Sequence, residues 1–200
     1  MNGLNKQFMA NVHGFMSVNA INIDTGSRLN GLGESGVYSF DLAHSQFGGV
    51  ILRLMDERGK PAGRFTHAIR AYWLPWAEGE TTQLPLGREA DFFFTSGLGG
   101  CRVQIAGTNA RPHVLHIAGN TGVPWRDEES IRHAGTLARS FSQTKHYGGP
   151  RGEDCGFVAG YRDTASGEWK FVAQAHAFNA GTKRISIGRI YGRSSGVMTL

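Results

Sequence analysis

The stretch TSGLGGCRVQIAG, Thr95 to Gly107, sets one cysteine behind a run of glycines and ahead of an apolar alternating segment. A thiol attacks an acyl carbon as the thiolate, so it needs an imidazole or another positive influence beside it. The attack creates an oxyanion, which backbone N–H groups fixed toward one point stabilise best. Glycines suit that task because they accept positive φ and allow close backbone approach. The turn before Cys101 would aim the N–H groups of Gly100 and Cys101 at a bound carbonyl. Two histidines, His113 and His116, follow in PHVLHIAG. In an extended strand they point to opposite faces, so only one can face Cys101, and the alternation does not choose. The same residues also suit a packed cysteine at the head of a glycine hairpin.

Other chemistries fit less well. Cys101, His113 and His116 lack a nearby carboxylate or second cysteine, and a zinc site needs three or four converging ligands; no metal is expected. GLGESG (31–36) matches the glycine spacing of dinucleotide sites but runs into VYSFDL, a strand pattern, so it reads as a turn. No glycine–lysine phosphate loop is present. Cys155, 54 positions beyond Cys101, has no histidine close behind it and reads as structural. His13, His44, His67, His133, His146 and His176 are scattered and read as surface or core residues.

These residues need a scaffold. The chain has 200 residues, 29 glycines and only 18% charged residues, a composition for one domain with many turns and strands. Short strands are expected at 17–24, 36–43 and 48–56, followed by a loop in DERGKPAGR and a strand in THAIRAYWLP. A buried strand is expected at 90–95, then paired strands at 101–107 and 112–119 joined by TNAR. One helix is expected over 126–145, acidic in its first turn, with Ile131, Ala134, Leu137, Ala138 and Phe141 as an apolar stripe. Three further strands, in CGFVAGYRD, EWKFVAQAHAF and KRISIGRIYG, precede a loose tail. The class is α+β with β dominant.

The net charge is +5, yet the basic residues are scattered, which argues against a nucleic-acid footprint. No apolar run reaches membrane-spanning length, and neither a secretory signal nor a disulfide framework is evident. A reducing, cytosolic site of action is the expectation.

Several segments together resemble a known family. AYWLPWAEGETTQL (71–84), FFFTSGLGGC (92–101) and HVLHIAG (113–119) resemble, in the same order, the Burkholderia lethal factor family of glutamine deamidase toxins, and FGGVILRLMD (47–56) is similar to its early strand. The Thr–Cys–His arrangement is shared with the catalytic domain of cytotoxic necrotizing factors and with chemoreceptor glutamine deamidases. The resemblance covers roughly positions 45 to 120.

It implies Cys101 as nucleophile, His116 as the histidine that takes its proton to form a thiolate–imidazolium pair, and Thr95 as the residue that orients the imidazole. It implies one deamidase-like domain over 1–200, an α+β fold with a β-sandwich-like core of mixed sheets and peripheral helices. No cofactor or metal is implied. The implied partner is a protein bearing a target glutamine, a translation-initiation helicase or a Rho-type small GTPase, without direct nucleic-acid or membrane binding. Action in a host cytosol would follow export without a cleavable signal peptide. A chemoreceptor-type deamidase, a transglutaminase and a non-catalytic β-rich binding protein on the same fold are the alternatives. The family usually has serine–glycine before the cysteine, where this chain has Gly99-Gly100.

Overall fold

A computed structural model describes residues 3–23, 28–55, 68–134, 139–147, 153–179, 181 and 184–191. The loop expected in DERGKPAGR, Leu137 and Ala138 of the expected helix, and the tail after 191 lie outside the described residues.

The strands form two sheets. The larger has eight strands in the order β1 (Ile21–Ile23), β3 (Val50–Leu54), β2 (Gly36–His44), β4 (Ile69–Leu74), β6 (Phe92–Thr95), β10 (Glu153–Arg162), β11 (Trp169–Asn179) and β12 (Arg184–Tyr191). Within it β1–β3 and β4–β6 run parallel, and the other neighbours are antiparallel. The smaller sheet, wholly antiparallel, has four strands, β5 (Thr81–Pro85), β8 (Arg111–Ile117), β7 (Arg102–Thr108) and β9 (Arg139–Ser142). GLGESG runs from a single 3-10 turn (Arg28–Gly31) into β2, not into a helix.

Strand alternation sorts the apolar side chains into two main cores. Tyr72, Leu74, Phe93, Val158, Phe171 and Ala173 of the large sheet share one cluster with Val103, Ile105, Val114 and Phe141 of the small sheet. Their neighbours Trp73, Phe94, Phe157 and Val172 face the other way. There they meet Phe8, Val12, Phe15 and Met16 from two short helices, α1 (Gly3–Ala10) and α2 (Val12–Val18). Phe8 and Phe94 rings lie 5.4 Å apart in a tilted pair, and Phe40 meets Phe94 edge-on at 5.3 Å. Asn11 caps α2 by accepting the Gly14 N–H at 2.8 Å. Buried Gln174 of β11 accepts the Ile21 N–H at 3.0 Å and donates to the Met16 and Asn19 carbonyls, tying α2 to the sheet.

Neither α1 nor α2 is anticipated from the sequence, and the strand expected at 17–24 is reduced to Ile21–Ile23, with residues 17 and 18 closing α2. β5 is also unanticipated. It ends in Pro85 and lies at a sheet edge, where a missing N–H breaks no ladder bond.

The helix expected over 126–145 is corrected. α3 spans Val123–Ala134, and Phe141, assigned to its stripe, lies in β9 with its ring fully buried. Ile131 is 77% exposed. Most of the residues that α3 turns toward the small sheet are polar: Arg126 and Glu129 are buried, and Ser130 bonds to Arg102 and Gln104 of β7, while Trp125 packs on Ala106, Leu115 and Ile117. An apolar stripe through Ile131 and Phe141 therefore misplaces the inward face, because α3 meets the strands through Trp125 and through polar side chains paired with Arg102 and Gln104.

Candidate active site

Three strands bring the expected residues onto one side of the small sheet. On β6, Phe93 and Thr95 share the face that looks toward the small sheet, while Phe94 faces the helices. On the small sheet, β7 and β8 form a hairpin that turns at Asn109–Ala110, since Thr108 pairs with Arg111. That register sets Val103 opposite His116 and Ala106 opposite His113. Directly paired residues share a face, so His116 lies on the inner side with Val103 and Val114. His113 lies on the other side, half-buried, where burial and the nearby His133 lower its basicity. The choice between the two histidines is thus made by hairpin register.

The Thr95 hydroxyl and His116 Nδ1 are 2.8 Å apart, both fully buried. The same hydroxyl donates to the Leu74 carbonyl at 2.9 Å. A carbonyl can only accept, so the single hydroxyl proton points to Leu74, and Thr95 Oγ1 must accept the proton on His116 Nδ1. This leaves Nε2 as the lone-pair nitrogen of the neutral ring. Among the described residues Nε2 has no hydrogen-bond partner. The Leu74 carbonyl that sets this arrangement is fixed in turn by the Ser96 N–H at 3.1 Å, part of the parallel β4–β6 pairing.

Cys101 stands one residue before β7 and is 4% exposed, in the same core cluster as Val103. Carried one step past the start of β7, the hairpin register puts it diagonal to His116. Side chains in that relation have Cβ atoms about 7–8 Å apart, within reach of a cysteine and an imidazole. The structure shows no Cys101–His116 hydrogen bond. The turn before Cys101 is held tightly. Gly100 has φ +103°, a region L side chains rarely adopt. A Cβ on Gly119 would lie 2.5 Å from the Gly100 carbonyl carbon, so only glycine lets that loop press against the turn.

Burial dominates the electrostatics. It pushes the Cys101 thiol up, against the backbone N–H groups of Gly119 and Gly99 and the charge of Arg126, which favour the thiolate. It pushes His116 down to about 3. The resting pair is therefore thiol and neutral imidazole, where the resemblance implies a preformed thiolate–imidazolium pair.

Two side chains absent from the sequence reading hold the turn. Arg126 Nη1 donates to the Gly100 carbonyl, and the Tyr147 hydroxyl donates to the Cys101 carbonyl at 2.5 Å. Arg126 opens the stretch expected to be one helix, 126–145, and Tyr147 lies just beyond its end. Beside the turn, a cleft of about 430 Å³ is lined by Pro75, Trp76, Ser96, Gly97, Gly99 and Cys155; Cys101 and His116 lie behind its lining. Trp73 is fully buried under Phe40, whereas Trp76 is 43% exposed at this cleft. Among the described residues no group of three His, Cys, Asp or Glu side chains converges as metal ligands.

No family model matches the sequence, and no curated protein matches it either. In three dimensions the chain is similar to the C-terminal domain of CNFy from Yersinia pseudotuberculosis. The TM-score is 0.52, 96% of this chain and 97% of that one are covered, and the identity is 8%. At that identity the likeness is one of fold, a mixed α+β architecture built mostly of strands in curled sheets.

Proposed function

We propose that this chain is a cysteine-dependent protein glutamine deamidase, a single catalytic domain acting as a toxin or effector on a cytosolic protein. The observation that carries the proposal is the Thr95–His116 pair, whose proton accounting leaves a buried, unpaired Nε2 on the face where Cys101 stands. A fold shared with a toxin domain of the cytotoxic necrotizing factor type supports it.

In this reading the glutamine side chain enters from the cleft beside Trp76 and the glycine turn. His116 Nε2 accepts the Cys101 proton as sulfur bonds to the carboxamide carbon, so no free thiolate need be held in a dry site. The imidazolium, steadied by the Thr95 oxygen at Nδ1, gives its proton to the leaving nitrogen and ammonia departs. Water then loses a proton to His116 and adds to the thioester. Collapse releases glutamate and restores the thiol. The oxyanion of both steps is met by backbone N–H groups of the glycine turn.

The substrates to try first, by the sequence resemblance, are a translation-initiation helicase and a Rho-type small GTPase. Incubation with cell extract should produce Gln-to-Glu mass changes that are absent with Cys101→Ser. Identical peptide maps from the two proteins would overturn the proposal and leave a binding protein on this fold.

A further inference from the structure

The mechanism above leaves a buried guanidinium unused. Arg126, in the first turn of α3, is 7% exposed. Buried charges are normally paired with an opposite charge, because burying one alone is costly. The neighbouring acids are committed elsewhere. Asp127 bonds to Arg102 at 2.6 Å, and Glu129 binds the Thr81 hydroxyl at 2.9 Å and Arg132 at 2.5 Å. Among the described residues no carboxylate pairs with Arg126. Its partners are carbonyls, Gly100 through Nη1 and Gly122 through Nε at 3.3 Å.

The Gly100 carbonyl belongs to the peptide that carries the Cys101 N–H. That peptide is planar and trans, so the carbonyl and the N–H point in opposite directions. Holding the carbonyl on the Arg126 side turns the N–H to the other side. Gly100 is the residue at which the peptide could most readily rotate, since its φ of +103° lies where glycine alone moves freely. Gly119 packs against the same peptide from a second direction.

We infer that Arg126 is a positioning residue for the nucleophile turn, clamping the Gly100 carbonyl so that the Cys101 N–H is presented to the oxyanion formed on the substrate carboxamide. The inference rests on the deamidase reading for its chemistry, and on geometry alone for the clamp.

Two reactions of the same thiol separate this role from a structural one. Deamidation passes through an oxyanion. Alkylation of Cys101 by iodoacetamide displaces iodide at a saturated carbon and forms none. Arg126→Gln should lower deamidation kcat by about 10²–10³-fold, the usual effect of losing one oxyanion donor, with KM little changed. Alkylation of Cys101 at the same pH should fall less than tenfold. Arg126→Lys, which keeps the charge and a donor, should recover part of the loss, and it serves for every measurement if the glutamine variant does not fold.

Equal losses in both reactions, or no loss in deamidation, would overturn the assignment. If the wild-type protein deamidates nothing, the proposed function fails and amide hydrogen exchange decides the clamp. Loss of the clamp should speed exchange at Cys101 and leave Cys155 unchanged. Parallel changes at both amides, or none at Cys101, would overturn it.

Discussion

The two faces of the β7–β8 hairpin are built for opposite ends. Outward, toward α3, Arg102 reaches the Arg126 carbonyl, the Ser130 hydroxyl and Asp127, and Gln104 donates to the Ser130 carbonyl. Inward, toward the large sheet, Cys101, Val103, Ile105 and Val114 make an apolar surface, and His116 is set into it. Four buried polar atoms in the described residues lack partners: Arg102 Nε, Gln104 Oε1, Trp169 Nε1 and His116 Nε2. Two of these are N–H donors and one is a weakly basic amide oxygen. Only the His116 nitrogen carries a basic lone pair, which burial keeps unprotonated in the folded chain. The outer face therefore holds the hairpin through polar bonds and the Trp125 contact with Ala106, Leu115 and Ile117, while the inner face buries one unpaired imidazole nitrogen.

The sharpest way to break this comparison is to remove a residue from each face. Cys101→Ala and His116→Ala should each lower deamidation by about 10⁴-fold or more, as when the nucleophile or base of a catalytic unit is lost. His113→Ala, on the outer face, should stay within a few-fold of wild type, measured as ammonia release. Equal loss from both histidines would erase the distinction between faces.

A subtler change keeps the ring and alters only its support. Thr95→Val preserves shape and removes the oxygen that accepts from His116 Nδ1. Activity should fall about 100-fold as the imidazole loses its orientation. Denaturant unfolding should show a loss of about 1–3 kcal/mol for the buried N–H left unpaired.

Acid should read the same face through stability. His116 is neutral when folded down to about pH 3, whereas in the unfolded chain it takes a proton near 6.5. The unfolded state thus binds more protons between these values. Stability from this group is complete above about pH 6.5 and is lost as the pH falls toward 3, at about 1.4 kcal/mol per pH unit. His176, pushed down to about 4 by burial beside Gln174, adds a second contribution over a narrower range. His116→Gln should flatten the acid limb of an unfolding-versus-pH curve more than His113→Gln does.

The smallest effect belongs to the outer face. Asp127 is 54% exposed in its pair with Arg102, so Asp127→Asn should cost less than about 1 kcal/mol in thermal unfolding and leave deamidation unchanged.

How far the sequence reveals all this depends on what each segment packs against. The strands that carry Thr95 and His116, and the one that Cys101 precedes, are legible because period-two alternation and bounding turns agree there. Even the choice of His116 over His113 is implicit in TNAR: a two-residue turn at Asn109–Ala110 fixes the pairing of Val103 with His116. The α3 region is not legible. Counting apolar residues predicts a long helix seated on Ile131 and Phe141, but the inward side chains are Arg126 and Glu129, held by polar partners that lie far away in sequence. The bond from Arg126 to the turn before Cys101 is obscured with it, and that from Tyr147, just past the expected helix, leaves no local signal. α1 and α2 go unread for another reason. Each is too short to show a persistent period, and they are stabilised by the aromatic sheet face they cover.

The Thr95 hydroxyl belongs to the large sheet and the imidazole it meets belongs to the small one. That bond works as a gauge of how the two sheets are seated on each other. A slip of about an ångström would break it while each sheet kept its own ladder intact. On the deamidase proposal, cavity-forming substitutions in the shared core, such as Val158→Ala, should therefore abolish deamidation at temperatures where the strand content is still complete. The site is tuned to the spacing between two bodies, so it reports on loosened packing before unfolding begins.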